Sequence, residues 1–481
     1  MQEKQTYRNG GMVKHCALLL IFYLSVQTIQ AQISEPDSLK GKVIVSSIRI
    51  EGNAITKAYI IYRELLFNKG DSVTMGQVAR LFEKSKHNLL NTSLFNFVTI
   101  KGIRNEQGLN VSISVIERWY IWPAPIFEIT DRNLNSWWES RDFTRVNYGF
   151  RIKWSNFRGR MENLDMFLRF GKNPQYSLLY EIPYIERKKK FGAGFEIGYI
   201  RKREVGYETE RDKLIYLFNQ DYLSHQQYAA FRLSYRRNIN TIHQAEIRFQ
   251  HIDFSDSLLR SNPDYTYPGQ SVANFLSFYY KIKIDHRDAN YYPLSGWYVD
   301  AEFYKAGLGM EFEKPLDILW LRSTSRLFVP LSKRWYFGTS FVGKLSSCSY
   351  QPYFLMQGLG YDRDFVRGYE YYVIDGQHYA LTRNDIKFAI LPERNATLSF
   401  IPSQKFSRIH LASYFTLFAD AGYTWIDHRS KGIENTLPGT FLFGTGLGLN
   451  IVTYYDKVMR IEYSLNKLGE SGIFIHFIAG I

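Results

Sequence analysis

The sequence predicts a mainly β protein: a 16-stranded antiparallel transmembrane β-barrel preceded by one small α+β domain of order βααββ. Three observations lead there. From Trp119 onward, segments of about 9 to 15 residues alternate apolar and polar positions between polar turns, the period by which a strand presents two unlike faces. Aromatics make up 17% of the 481 residues, as 36 Tyr, 35 Phe and 9 Trp, against only 14 Pro, which excludes a disordered chain. Mean hydropathy is −0.28, and the chain lacks the run of roughly 18 apolar residues a membrane helix needs, so a helical membrane bundle is excluded. A barrel is not, because its lipid-facing and lumen-facing residues average to a soluble-looking value.

Residues 1–31 have the pattern of a secretory signal. Lys4, Arg8 and Lys14 form a basic start, Cys16 to Val26 an apolar core, and Ile29-Gln30-Ala31 a processing site before Gln32, with Met12 an alternative start and a buried N-terminal helix the competing reading. Its removal lowers the formal net charge from +14 to +12, three bases and one acid leaving, and takes Cys16 with it. Only Cys348 then remains, so no internal disulfide forms and a large core or barrel must hold an exported chain. The basic residues are spread through alternating strands, not gathered in one patch, which with export argues against nucleic acid and places them in a barrel lumen.

Residues 42–118 form the small domain. Val43 to Ile50 alternates as a strand and ends at the turn Glu51-Gly52-Asn53. A helix follows with Thr56 as its expected N-cap and Tyr59, Ile60, Arg63 and Leu66 at helical spacing, until Gly70-Asp71 stops it. Thr74-x-x-Gln77 reads as a capping box opening a second helix with Val78, Leu81, Phe82, Leu89 and Leu90 on its apolar face. Two strands come next, about 94–101 and 108–116, joined by the hairpin signal Asn105 to Gly108. With Arg63-Glu64-Leu65, Leu94-Phe95-x-x-Val98 and Val115-Ile116-Glu117-Arg118, this segment resembles the POTRA module. A three-stranded sheet leaves an edge, here the strand of Phe95, Val98 and Ile100, able to recruit an extended polypeptide by strand addition. A rigid spacer or plug is the alternative.

Residues 119–481 form the barrel. On one strand His410, Ala412, Tyr414, Thr416, Phe418 and Asp420 oppose Leu411, Ser413, Phe415, Leu417, Ala419 and Ala421; on another Arg460, Glu462, Ser464 and Asn466 oppose Met459, Ile461, Tyr463 and Leu465. A soluble sandwich also alternates, but export, aromatics at strand ends such as Trp119, Trp122, Trp137 and Trp138, and strands near ten residues favour the outer membrane. Seventeen segments qualify as strands, and bacterial barrels are even-numbered. Assigning 211–219 to a long loop puts the short turns 158–161, 186–190, 239–241, 289–296, 332–334 and 456–457 on one side, and the long stretches 131–144, 205–225, 255–273, 348–378 and 426–439 on the other. The turn at 393–409 is the exception. Sixteen strands remain, with both ends in the periplasm.

Two motifs stand on this wall. Val366-Arg367-Gly368-Tyr369 lies in the longest loop, and a guanidinium folded into a barrel needs a carboxylate or a ring. Phe418-x-Asp420-x-Gly422 presents a ring, a carboxylate and a glycine to the lumen, and Asp385 a second inward carboxylate on the preceding strand. Together with the POTRA-like segment, and with Asp285-His286-Arg287-Asp288 through Pro293-Leu294-Ser295-Gly296, Gly444-x-Gly446-x-Gly448 and Pro183-Tyr184-Ile185, they resemble the superfamily of BamA/TamA-type outer-membrane assembly factors and two-partner secretion translocators. The resemblance spans about 42–481. It implies a sixth loop locked to the wall by Arg367, with Phe418, Asp420, Gly422 and Asp385 as its partners there. It also implies a weak seam between first and last strands, around Ile126 and Phe127 on one side and Phe474 and Phe477 on the other, where client strands enter. Two departures stand out: a single POTRA-like module, and a chain ending Phe477-Ile478-Ala479-Gly480-Ile481 without a terminal aromatic.

Enzyme chemistry lacks its motifs: there is no His-Glu-x-x-His pair, no Gly-x-Ser-x-Gly elbow and no Walker lysine loop, and the ten His form no ligand cluster. No cofactor or metal is expected. Gly444-x-Gly446-x-Gly448 sits in an alternating strand with no helix after it, so close backbone packing explains it better than phosphate binding. The expected function is assembly or insertion of outer-membrane proteins, the alternatives being a dedicated secretion translocator and a passive pore. The expected partners are the outer-membrane bilayer, unfolded outer-membrane or secreted polypeptides, and periplasmic chaperones or accessory proteins.

Overall fold

The computed structural model describes residues 41–129, 146–310, 316–347, 351–397, 399–425, 434–453 and 455–479. The expectations for the signal segment, Trp137, Trp138, Cys348, Gly480 and Ile481 fall outside them.

The N-terminal domain comprises β1 (Lys42–Glu51), α1 (Ala58–Glu64), β2 (Ser72–Thr74), α2 (Met75–Asn91), β3 (Phe95–Asn105) and β4 (Gly108–Glu117). Its sheet has the order β2-β1-β4-β3, with β1 and β4 parallel and the other pairs antiparallel. The expected three-stranded βααββ unit thus gains a short fourth strand: Val73 pairs with Val43 in the segment between the helices. Three residues are too few for periodicity to reveal. The alternating faces of β1 and β4 and the stripe of α2 meet in one core, with Val45, Ile60, Leu89, Phe95, Ile113 and Val115 almost wholly buried.

Neither expected cap forms. Lys57, not Thr56, is the N-cap of α1, and the Thr74 side chain makes no capping bond at α2. The Thr56 hydroxyl is buried instead, 3.0 Å from the Tyr120 hydroxyl and accepting from Asn156 Nδ2 at 2.9 Å. A tertiary polar contact therefore takes the oxygen that local geometry offered to the helix.

The rest of the chain builds sixteen strands in one antiparallel sheet. They are β5 (Ile121–Ile129), β6 (Val146–Phe157), β7 (Glu162–Gly171), β8 (Gln175–Ile182), β9 (Phe191–Lys202), β12 (Ser224–Arg236), β13 (Thr241–Phe254), β14 (Val272–Asp285), β15 (Gly296–Ala306), β16 (Ile318–Pro330), β17 (Trp335–Ser347), β18 (His378–Thr397), β19 (Arg408–Trp425), β20 (Leu442–Thr453), β21 (Lys457–Asn466) and β22 (Ser471–Ala479). The two remaining strands, β10 (Glu204–Glu210) and β11 (Lys213–Phe218), pair only with each other. Segment 211–219 is therefore a hairpin arm outside the wall, as turn parity required.

The inner face is polar and paired. Arg232 reaches Glu196 and Arg151 reaches Asp165, while Lys281 bridges Asp300 and Glu302. The outer face carries exposed Phe195, Phe231, Leu233, Ile247, Leu321, Leu447 and Tyr463. The 393–409 exception shrinks, because β18 runs on to Thr397 through two irregularities and β19 begins at Arg408.

Candidate functional site

The described residues of loop six, 351–377 between β17 and β18, fold inward against the wall, and Arg367 is their anchor. Inward alternation on β19 places Phe418 and Asp420 on the lumen face, in register with Asp385 and Arg383 of β18. Arg367 Nε and Nη2 donate to the two oxygens of Asp420 at 2.7 and 2.6 Å, a bidentate pair whose side chains are 6% and 0% exposed. Nη1 lies 2.9 Å from Asp385 and 3.4 Å from Glu462. The guanidinium carbon stands 3.9 Å above the Phe418 ring.

The glycines of these motifs make room. A side-chain carbon at Gly422 would sit 2.6 Å from Val366, which is wholly buried, and one at Gly444 only 1.8 Å from the Arg367 carbonyl oxygen. Gly444 is thus the floor on which loop six rests, while Gly446 packs against Tyr463 and Phe418 and Gly448 against Glu462 of the wall. Tyr369 is buried with Leu359, Val366, Ile374, Leu437 and Leu442. Gly368 is held at its carbonyl by Asn466 Nδ2 at 2.9 Å.

The loop has further ties. Arg322 and Tyr379 both donate to Asp364 at 2.8 Å; burial alone raises that carboxyl, but Arg322 and these bonds outweigh it and hold it below its usual range. Farther out, the hydroxyls of Tyr361, Thr209 and Tyr353 cluster on Asp375, whose carboxyl burial pushes up despite the bonds it accepts. Asp212, at the tip of the β10–β11 arm, accepts from Thr436 N at 3.0 Å and Leu437 N at 3.1 Å. The arm and the described residues of loop six and of the β19–β20 loop, 434–441, therefore meet over one end of the barrel.

The N-terminal domain sits at the opposite end. Arg118 donates to both oxygens of Asp456, in the turn between β20 and β21, at 2.7 and 2.8 Å, and also to the Phe95 carbonyl at 3.0 Å. Arg236, ending β12, forms a second fork on buried Glu64 at 2.6 and 2.7 Å. Arg63 lies over the Tyr184 ring at 3.7 Å, and burial, then the neighbouring Arg236 charge, lower it to about 10. His87 contacts the Asp288 carbonyl at 3.0 Å, and the Lys57 amide donates to that of Gly159 at 2.9 Å. Asp456 and Gly159 lie in turns expected on the periplasmic side, and Tyr184, Arg236 and Asp288 at the expected strand ends beside such turns.

The residues expected at the β3 edge are not themselves exposed. Phe95 and Val98 are buried in the domain core, and Ile100 is packed against it, so the edge offers backbone only. Its first residues already touch the barrel: His410 Nε2 lies 3.0 Å from the Asn96 carbonyl, and its ring stacks on Phe97.

At the seam, sheet pairing ends with β5 on one side and β22 on the other, and among the described residues no backbone ladder joins them. Ile126 shares the inward parity of Glu128, which accepts from Asn147, and Phe127 points outward and is exposed. Phe477 is outward and 78% exposed. Phe474 turns inward and meets Tyr371 of loop six at 5.3 Å between ring centroids. Loop six and the last strand are therefore in contact.

Residues 43–118 match the model of the POTRA family, described as surface antigen variable number repeat. Among solved structures the chain is similar to CdiB from Escherichia coli, at 13% identity and TM-score 0.53, over 90% of this chain and 75% of that one. The chain shares the fold of that structure. It is also similar to BamA from Haemophilus ducreyi lacking POTRA domains 1–3, at 14% identity and TM-score 0.47 over 90% and 84% of the two chains. CdiB from Acinetobacter baumannii is matched at 13% identity and TM-score 0.46, over 90% and 73%. No curated protein matches the sequence.

Sequence reasoning missed several residues that touch this site. Glu462 was placed on the inward face of its strand but not joined to Arg367. Arg383, which donates to the Phe365 carbonyl at 2.6 Å, and Asp456 stand in no motif, and Arg118 stands in the Val115–Arg118 pattern without a partner named for it. Their common signal was inward parity or a turn position, which names a face and not a partner.

Proposed function

We propose that the chain is an outer-membrane assembly or insertion factor that captures client β-strands at the barrel seam, with its POTRA domain in the periplasm. The observation that carries this reading is the pair of sheet edges, β5 and β22, left without a mutual ladder in a sixteen-stranded wall. Backbone groups in lipid must be paired, so such an edge favours an incoming strand that supplies the missing partners. Exposed apolar side chains around the outer face support membrane residence. Loop six held inside the lumen by Arg367, and a POTRA domain clamped across the periplasmic turns, speak against a passive pore. The reading requires unfolded polypeptide clients and chaperones or accessory proteins that deliver them, and it involves no cofactor and no enzymatic step. Residues 1–31 are the export signal.

Depleting the protein tests it. A subset of outer-membrane barrel proteins should fall in abundance while inner-membrane proteins hold; an unchanged outer-membrane proteome rejects the reading.

A further inference from the structure

The two edges of the seam are chemically unlike. In any strand, alternate residues direct their N–H and C=O to opposite sides. On β5, the Tyr120 carbonyl accepts from the Ser155 amide at 2.9 Å in register with the β5–β6 ladder, so even-numbered residues face β6. The odd-numbered ones, Ile121, Pro123, Pro125, Phe127 and Ile129, direct their backbone to the seam. Two of these positions are proline and have no N–H to give. The ladder to β6 runs unbroken from Ile121 to Ile129 because the prolines stand on the other side of it.

On β22 the Asn466 amide donates to the Glu470 carbonyl at 3.0 Å, which sets even-numbered residues toward β21 and leaves Ser471, Ile473, Ile475 and Phe477 facing the seam. None is proline. Their edge therefore retains a complete alternation of donors and acceptors, flanked outward by Ile473, Ile475 and Phe477 at 69%, 57% and 78% exposure.

From this asymmetry we infer that β22 is the edge that receives an incoming strand, while Pro123 and Pro125 keep β5 from occupying it. Closure of β5 on β22 leaves the carbonyls opposite the two prolines without donors. A strand with a full set of N–H groups satisfies them all, so it displaces β5 from β22. The occupant is a transmembrane-type strand of about ten residues, apolar outward to match Ile473, Ile475 and Phe477, lying antiparallel to β22. The inference rests on the strand-capture reading and adds which edge acts and why.

The test uses the full chain, with Cys348→Ser, in vesicles of phosphatidylethanolamine and phosphatidylglycerol. Ile475→Cys on β22 and Phe127→Cys on β5 are each offered a synthetic peptide of about ten alternating apolar and polar residues bearing one activated thiol. We expect roughly ten-fold more disulfide adduct at Ile475→Cys, and loss of most of it when the peptide carries proline at alternate positions. Adding Pro123→Val and Pro125→Val, in protein that still runs as a compact barrel on cold gels, should lower capture at Ile475→Cys several-fold, since β5 then competes. Equal capture at both edges, preference for β5, no effect of the proline changes, or a disulfide-linked dimer formed in place of the peptide adduct would overturn the inference and leave the proposed function standing. No capture at either edge would reject both.

Discussion

Arg367 and Asp420 form a two-bond fork, 2.6 and 2.7 Å, between loop six and the barrel wall, with the carboxylate fully withdrawn from solvent. Such a pair costs desolvation to make and more to break, because removing one partner strands the other. Here three carboxylates share the cation, so its loss leaves Asp420, Asp385 and Glu462 facing one another.

Arg367→Ala should therefore destabilise the loop-six dock by about 3–5 kcal/mol. The barrel band on cold gels should convert to the unfolded band at a clearly lower temperature than wild type. Arg367→Lys keeps the charge but not the fork and should fall between the two.

Gly444 tests the same dock from beneath. A side chain there meets the Arg367 carbonyl oxygen, so Gly444→Val should lift loop six, with protease cutting within 351–377 accelerated about as much as in Arg367→Ala. Gly343→Ala, whose nearest neighbour is the yielding Phe341 ring at 3.3 Å, should cut at the wild-type rate.

The clamp of Arg118 on Asp456 ties the POTRA domain to the barrel rim beside a core the two share through Tyr120 and Tyr184. Arg118→Ala should loosen this corner of the POTRA domain while the Arg236–Glu64 fork still holds the other, raising protease cleavage near residues 118–120 on the order of ten-fold. Hydrogen exchange in the β1 and β4 strands should stay at the wild-type level, because their core does not use this side chain.

The cap over the other end should respond to pH through Asp375. Burial raises its carboxyl above the unfolded value, so the cap's contribution is complete in acid below the ordinary carboxylate range and is lost as pH climbs through the raised value. Exchange protection of 353–377, corrected for intrinsic rates, should decline over that window. Asp375→Asn stays neutral throughout and should flatten the decline; an unchanged profile would separate the cap from this carboxyl.

Much of this was legible in order along the chain. Period-two alternation marks strands because successive side chains must face lumen and lipid in turn, and the lengths of the intervening segments set which turns share a side, which removed 211–219 from the wall. The motif residues Arg367, Phe418, Asp420 and Gly422 could be named from the sequence, as could the helices of the POTRA domain and its strands β1, β3 and β4. All these signals lie within a few residues of one another. The family resemblance also pointed Arg367 at the Phe418, Asp420 and Asp385 wall; what the tertiary structure decided joins Arg367 to Glu462 across 95 residues and Arg118 to Asp456 across 338. Alternation assigns a side chain to a face, but only the path of loop six and the placing of the POTRA domain choose its partner there. The same holds for Thr56, drawn from its helix cap into a buried contact, and for Pro123 and Pro125, plain in the sequence but given meaning by the side of β5 that lacks a neighbour.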